Sequence, residues 1–163
     1  MTKFVSQKIR QKSGARLAAV QAVYMAVYGD MPVDEVVLDF IQGKVGRFVI
    51  DESNPAHTEE MIEISPIDTA YFEKLVRGVF TKKEQLEKSL AHYLNEKRDF
   101  EKMDGTMQAL LLCAVYELTN TLDVDTKVLI QEYVDLAYAF FSKNEPKMVN
   151  ALLDQIAHAV RMS

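Results

Sequence analysis

With a single cysteine, Cys113, among its 163 residues, the chain cannot close an intramolecular disulfide. It is long enough to fold around its own apolar core without staples or metals. Cys113 lies in an apolar run from Ala109 to Val115, the setting of a small buried hydrophobe. Only four prolines interrupt the chain, and no stretch sustains the apolar–polar alternation of exposed strands. No apolar run approaches the ~18 residues of a membrane span, and the N-terminus lacks the hydrophobic core of a signal peptide, so a cytoplasmic protein is expected. The six glycines are scattered singly, which argues against a loop that cradles phosphates; Gly14, Gly78 and Gly105 read as helix-end punctuation. His57, His92 and His158 have no partner at i+3 or i+4 that would make a metal pair, and surface positions suit them better. Glu132 and Asp135 could set an acid beside a base on one helical face, but a solvated face is the better account of them. No catalytic set, metal or cofactor is expected.

One further absence is positional. The first 29 residues contain no Asp or Glu, yet they hold Lys3, Lys8, Arg10, Lys12 and Arg16. Removing these five from the 19 Lys and Arg leaves 14 against 24 Asp and Glu, so residues 30–163 carry −10 in a chain of net −5. A short basic segment on an acidic body implies a localised contact with a polyanion rather than diffuse binding. If the first helix starts at Ser13, the cations form a flexible arm; if it extends further back, Lys8, Lys12 and Arg16 share one face. Charge alone does not separate an RNA contact from a solvating tail.

Apolar residues recur at spacings of three and four throughout, which predicts an all-α protein of seven helices. The first spans 13–28, with Leu17, Val20, Tyr24 and Val27 on its apolar face. The second follows Pro32, carrying Val33, Val36, Val37, Phe40 and Ile41. Residues 43–65 have weak periodicity and read as a surface loop. A Ser65 cap and Pro66 restart helix towards Tyr71, Phe72, Leu75, Val76 and Val79. Thr81 to Glu84 has capping-box spacing ahead of Leu86, Leu90, Tyr93 and Leu94. The stretch 106–119 is almost wholly apolar and should be central, 126–141 follows, and Asn144-Glu145-Pro146 opens the last helix. Met25, Met103, Met107 and Met148 fall on or beside apolar stripes as core fillers.

The segments KVLIQEYVDLA at 127–137 and PKMVNALLD at 146–154 resemble the NusB family of bacterial transcription antitermination factors. RLAAVQAVY at 16–24, YFEKLVRGV at 71–79 and AVYEL at 114–118 are similar to further blocks of that family, in the same order. Only residues 43–65 lack a counterpart. The resemblance implies two packed helical bundles, three helices in 13–80 and four in 81–163, behind a flexible basic arm at 1–12. It also implies a non-enzymatic protein that binds boxA-type RNA together with NusE, a small-subunit ribosomal protein, within the RNA polymerase antitermination complex of ribosomal RNA operons.

By position, the resemblance assigns RNA contacts to Lys8, Arg10, Lys12 and Arg16, and a second set to Lys143, Asn144, Lys147 and Met148. Asn150 would order the start of the last helix. Tyr24, Met107 and Tyr116 match the family's NusE-binding side. Ser13 and Gly14 stand where the family has a denser Arg run, Met148 replaces a usual Phe, and Gln131 a usual Asn. Met107 and Leu112 stand where the family carries charge, which favours a more apolar docking. A NusB-like domain also precedes the catalytic domain of some ribosomal RNA cytosine methyltransferases, for which 163 residues leave no room. The rival to RNA binding is a helical adaptor for ribosomal proteins or polymerase that binds no RNA of its own.

Overall fold

The computed structural model describes residues 7–43, 48–50, 61–63, 67–94, 100–142 and 144–161. Within them the chain forms α1 (Gln7–Tyr28), α2 (Val33–Ile41), strands β1 (Phe48–Ile50) and β2 (Met61–Glu63), α3 (Thr69–Thr81), α4 (Lys83–Tyr93), a 3-10 turn at Phe100–Lys102, α5 (Gly105–Asn120), α6 (Thr126–Phe140) and α7 (Asn144–Arg161). The fold class is all-α. The expected 43–65 loop differs by one short antiparallel hairpin, Phe48 opposite Glu63 and Ile50 opposite Met61. Three-residue strands are too short for alternation to register in a sequence, although Val49, Ile50 and Ile62 are β-branched.

The chain divides into two compact units, Met1–Lys74 and Leu75–Ser163, so the boundary falls inside α3 rather than after it, near residue 80. In the first unit α1 begins at Gln7, earlier than Ser13, so residues 7–12 of the expected arm at 1–12 are helix and the rest lie outside the described residues. Its buried face also departs from the apolar pattern. Ala15, Ala18, Ala19, Val20, Ala22, Val23 and Ala26 are buried, while Tyr24 is exposed and Leu17 and Val27 are half-buried. Alanine carries little apolar signal, but its small side chain lets a neighbouring element approach closely. α2 packs on α1 and contributes Val36, Val37 and Phe40, whose ring stacks on Phe72 at 5.4 Å between centroids. Just past the end of α2, Gly43 has a φ of 77° in the left-handed region, and its N–H donates to the Phe40 carbonyl.

The start of α3 is capped by Asp68; the expected cap Ser65 and Pro66 lie outside the described residues. The Asp68 carboxylate accepts from the Tyr71 N–H at 3.0 Å, and its own N–H donates to the Gln11 carbonyl of α1 at 3.1 Å. The capping box expected at Thr81 to Glu84 does not form: the Thr81 hydroxyl donates back to the Arg77 carbonyl at 2.9 Å, and α4 starts without a side-chain cap.

In the second unit α5 packs against α4, α6 and α7, and every residue from Met107 to Leu118 is buried. This is the central helix that its composition predicted. Asp104 caps α5 through the Thr106 N–H at 2.8 Å, and Asp125 caps α6 through the Lys127 N–H at 3.1 Å. Gly78 sits inside α3 and not at its end, because the Tyr116 ring of α5 occupies the space a Cβ would need. Gly14 is likewise interior to α1, where a Cβ would lie 3.0 Å from Ile67 Cγ2. Arg161 closes the other end of α5. Its guanidinium donates to the carbonyls of Leu118 at 2.9 Å, Thr121 at 2.8 Å and Val124 at 2.7 Å, satisfying acceptors that the helix leaves open.

Candidate nucleic-acid interface

The four N-terminal cations assigned to RNA separate by burial. Lys8 and Arg10 are exposed and Lys12 is half-buried, whereas Arg16 is only 3% exposed. A 3.6-residue period puts Lys8, Lys12 and Arg16 on one stripe that runs from solvent into the first unit's core, with Arg10 on the opposite side of the helix. Arg16 is therefore corrected from phosphate contact to buried structural cation. Its Nη2 donates to the Tyr71 hydroxyl at 2.8 Å, and its guanidinium lies 5.1 Å from the centre of that ring. The ammonium of Lys12 lies over the same ring at 5.4 Å. In the sequence Tyr71 stands out only as an apolar position of the third helix and a member of a block similar to the family. The aromatic side chain was the available signal; that it meets both cations is a tertiary fact, at a helix start where the Asp68 N–H donates to the Gln11 carbonyl of α1.

Gly14 departs from the expected arginine run for a reason of space, since Ile67 already fills the position next to it. The exposed cations of α1 are thus Lys8 and, on the other side of the helix, Arg10, with Lys12 one turn inward of Lys8.

At the second expected RNA segment, Lys143 lies outside the described residues. Asn144 and Lys147 are exposed in the first turn of α7, and Met148 is half-buried one position further on. The Ser142 hydroxyl donates to the Glu145 carboxylate at 2.8 Å, and Pro146 is buried beneath them. Asn150 is exposed, so it does not serve as a buried organiser of the helix start.

Of the residues assigned to a protein partner, Tyr24 is 41% exposed and forms a pair with Tyr28, whose ring centroid is 5.3 Å away. Leu17 and Arg10 continue that outward stripe at helical spacing. Met107 and Tyr116 are corrected: at 3% and 8% exposure both are core residues of α5, and the Tyr116 ring is spent against Gly78. Leu112 is buried too, a setting that suits an uncharged side chain.

Elsewhere the chemistry is structural. His92 and His158 are exposed, and His57 lies outside the described residues. Burial pushes the Cys113 thiol far above its ordinary ionisation range, and the neighbouring Glu117 carboxylate raises it further. Glu117 is 1% exposed and accepts a hydrogen bond from the Tyr133 hydroxyl. Among the described residues no group of three His, Cys, Asp or Glu could hold a metal, and no helix is long and apolar enough to cross a membrane.

The class so defined is a small all-α protein that displays cations on its first helix. The NusB family model matches residues 13–158, and the chain belongs to the NusB family. It is 39% identical over 157 residues to the transcription antitermination protein NusB of Rhodospirillum rubrum, covering 93% of this chain and 85% of that one. The corresponding protein of Rhizobium johnstonii is 36% identical over 151 residues, covering 93% and 88%. Among solved structures, a crystal structure of the antitermination factors NusB and NusE in complex with double-stranded RNA matches with a TM-score of 0.70 at 18% identity, over 93% of this chain and 98% of that one. That likeness concerns the fold.

Proposed function

We propose that this protein is a cytoplasmic transcription antitermination factor that binds boxA-type RNA together with the ribosomal protein NusE, as part of the RNA polymerase antitermination complex on ribosomal RNA operons. The observation that carries the RNA contact is the outward display of Lys8, with Lys12 one turn along the same stripe, and of Arg10 on the helix's other side, on an acid-free helix of an acidic protein. Such cations bind phosphate and release counterions without drawing in the rest of the chain. The first turn of α7 contributes Asn144 and Lys147. A lysine is electrostatically unfavourable at a helix N-terminus, and a bound phosphate would relieve both Lys147 and the positive end of the dipole. Met148 adds apolar contact but lacks a flat π-face, so base stacking there is weak.

The exposed Tyr24–Tyr28 pair supports the protein side of the reading, with two rings offering apolar area and hydroxyls offering hydrogen bonds. The same pair is what favours the second reading, an adaptor that holds NusE and binds no RNA itself. A titration with NusE, boxA RNA and both together separates the two. Antitermination predicts weak binding to single-stranded boxA RNA alone and tighter binding with NusE, each falling steeply with salt. An adaptor would bind NusE with an affinity indifferent to RNA, and a duplex of the same sequence tests whether strand separation matters.

A further inference from the structure

Two like charges one helical turn apart, Lys12 and Arg16, converge on a single aromatic ring from the neighbouring helix. Side by side on a helix, such a pair repels. The Tyr71 ring offsets that repulsion, because its π-face is negative and meets both cations, while its hydroxyl oxygen accepts from Arg16. The two cations nevertheless differ. Arg16 is enclosed by protein, whereas Lys12 is half-buried and makes no hydrogen bond or ion pair with a described residue, so its ammonium keeps its three donors for a ligand.

Resting on the RNA-binding reading above, we infer that Tyr71 is a positioning residue for that contact: anchored by Arg16, its ring holds the Lys12 ammonium at the edge of the basic face, ready for an RNA phosphate. A free lysine stem must give up rotamer freedom when it binds, and one already laid across a ring has given up much of it beforehand. Tyr71 is itself fixed at the capped start of α3, where Asp68 accepts from its N–H and donates to Gln11. The device therefore couples a rigid helix junction to one surface charge, and it differs from Lys8 and Arg10, which are exposed on α1 without such a ring contact.

The test joins a double-mutant cycle on RNA binding to a measurement that needs no RNA. Lys12→Gln should weaken binding to a boxA-containing single strand and lower the slope of log affinity against log salt by about 0.7. Tyr71→Leu should weaken binding by roughly three- to tenfold, the scale of one lysine's ordering cost. The double variant should bind no more weakly than Lys12→Gln alone, because the ring acts through that ammonium. Losses that simply add, or an unchanged affinity in Tyr71→Leu, would overturn the proposal and leave the RNA reading standing. If the wild type shows no salt-dependent RNA binding, both fall together. Should Tyr71→Leu fail to fold, proton NMR of the wild type decides: the terminal methylene of Lys12 should be shifted upfield by the ring current relative to that of Lys8, and the two coinciding would sink the placement.

Discussion

The ring of Tyr116 rests on the backbone of Gly78, in space that the Cβ of any other residue would occupy. One helix interior thus carries a glycine at a cost of about 1 kcal/mol in helix propensity so that α3 and α5 can meet closely. Both residues belong to blocks that resemble the family, and neither is a surface contact.

Gly78→Ala should be destabilising although alanine is the better helix former. Overpacking costs about 1–3 kcal/mol, and the regained propensity returns only part of it. Thermal unfolding should show a Tm lowered by several degrees, and replacing Tyr116 by Leu in the same chain should recover much of the loss. A raised Tm in the single variant would mean that the ring does not lie there.

Arg161 predicts a different kind of failure. Its fork spans carbonyls at the end of α5 and in the turn leading to α6, and it also donates to the Thr126 hydroxyl at 3.2 Å. Arg161→Met strands several part-buried acceptors and should cost roughly 2–3 kcal/mol in urea unfolding. Arg161→Lys should rescue little, since one ammonium cannot reproduce a planar fork. Hydrogen exchange should quicken first in the last turn of α5 and the first of α6.

Legibility followed how strongly a residue type advertises its place. α5 was plain because the stretch 106–119 is almost wholly apolar, and twelve consecutive positions within it are indeed buried. The face of α1 was misread because alanine is nearly neutral as a signal while Leu17, Tyr24 and Val27 are not. Arg16 was misread for the converse reason: a guanidinium belongs in water unless something buried receives it, and Tyr71 lies 55 positions away in the chain. Gly78 looked like an ending because sequence shows that a Cβ is missing without showing what replaces it.

Cys113 provides a pH-dependent test. Its folded ionisation is pushed well above the ordinary 9.0, by burial first and by Glu117 second, while the unfolded thiol keeps the ordinary value. The unfolded state therefore releases a proton that the folded state retains, so this group's stabilisation is complete below pH 9 and is lost progressively as pH rises beyond it. The loss approaches about 1.4 kcal/mol per pH unit from this one thiol. Comparing urea unfolding of wild type and Cys113→Ala from pH 8 to 10.5 isolates it: the variant should be less stable at pH 8 through the small cavity, and its profile should be the flatter one. Parallel profiles would show that the thiol is not desolvated. Thiol reagents should meanwhile label the native protein at pH 8 only as fast as it unfolds.

Arg16 and Lys8 are one stripe and two fates, which makes their substitution the sharpest separation of fold from binding. Arg16→Gln removes a charge-assisted hydrogen bond from a residue 3% exposed and should cost about 1.5–3 kcal/mol of stability. Under conditions where the variant is folded, the salt slope of RNA binding should be unchanged, because a cation enclosed by protein displaces no counterion from a phosphate. Lys8→Gln and Arg10→Gln should do the opposite, leaving unfolding within about 0.5 kcal/mol of wild type while each lowers the slope by about 0.7. If Arg16→Gln reduced the slope as Lys8→Gln does, its guanidinium would have to leave Tyr71 on binding, and α1 would then be rearranged in the complex rather than docked as it stands.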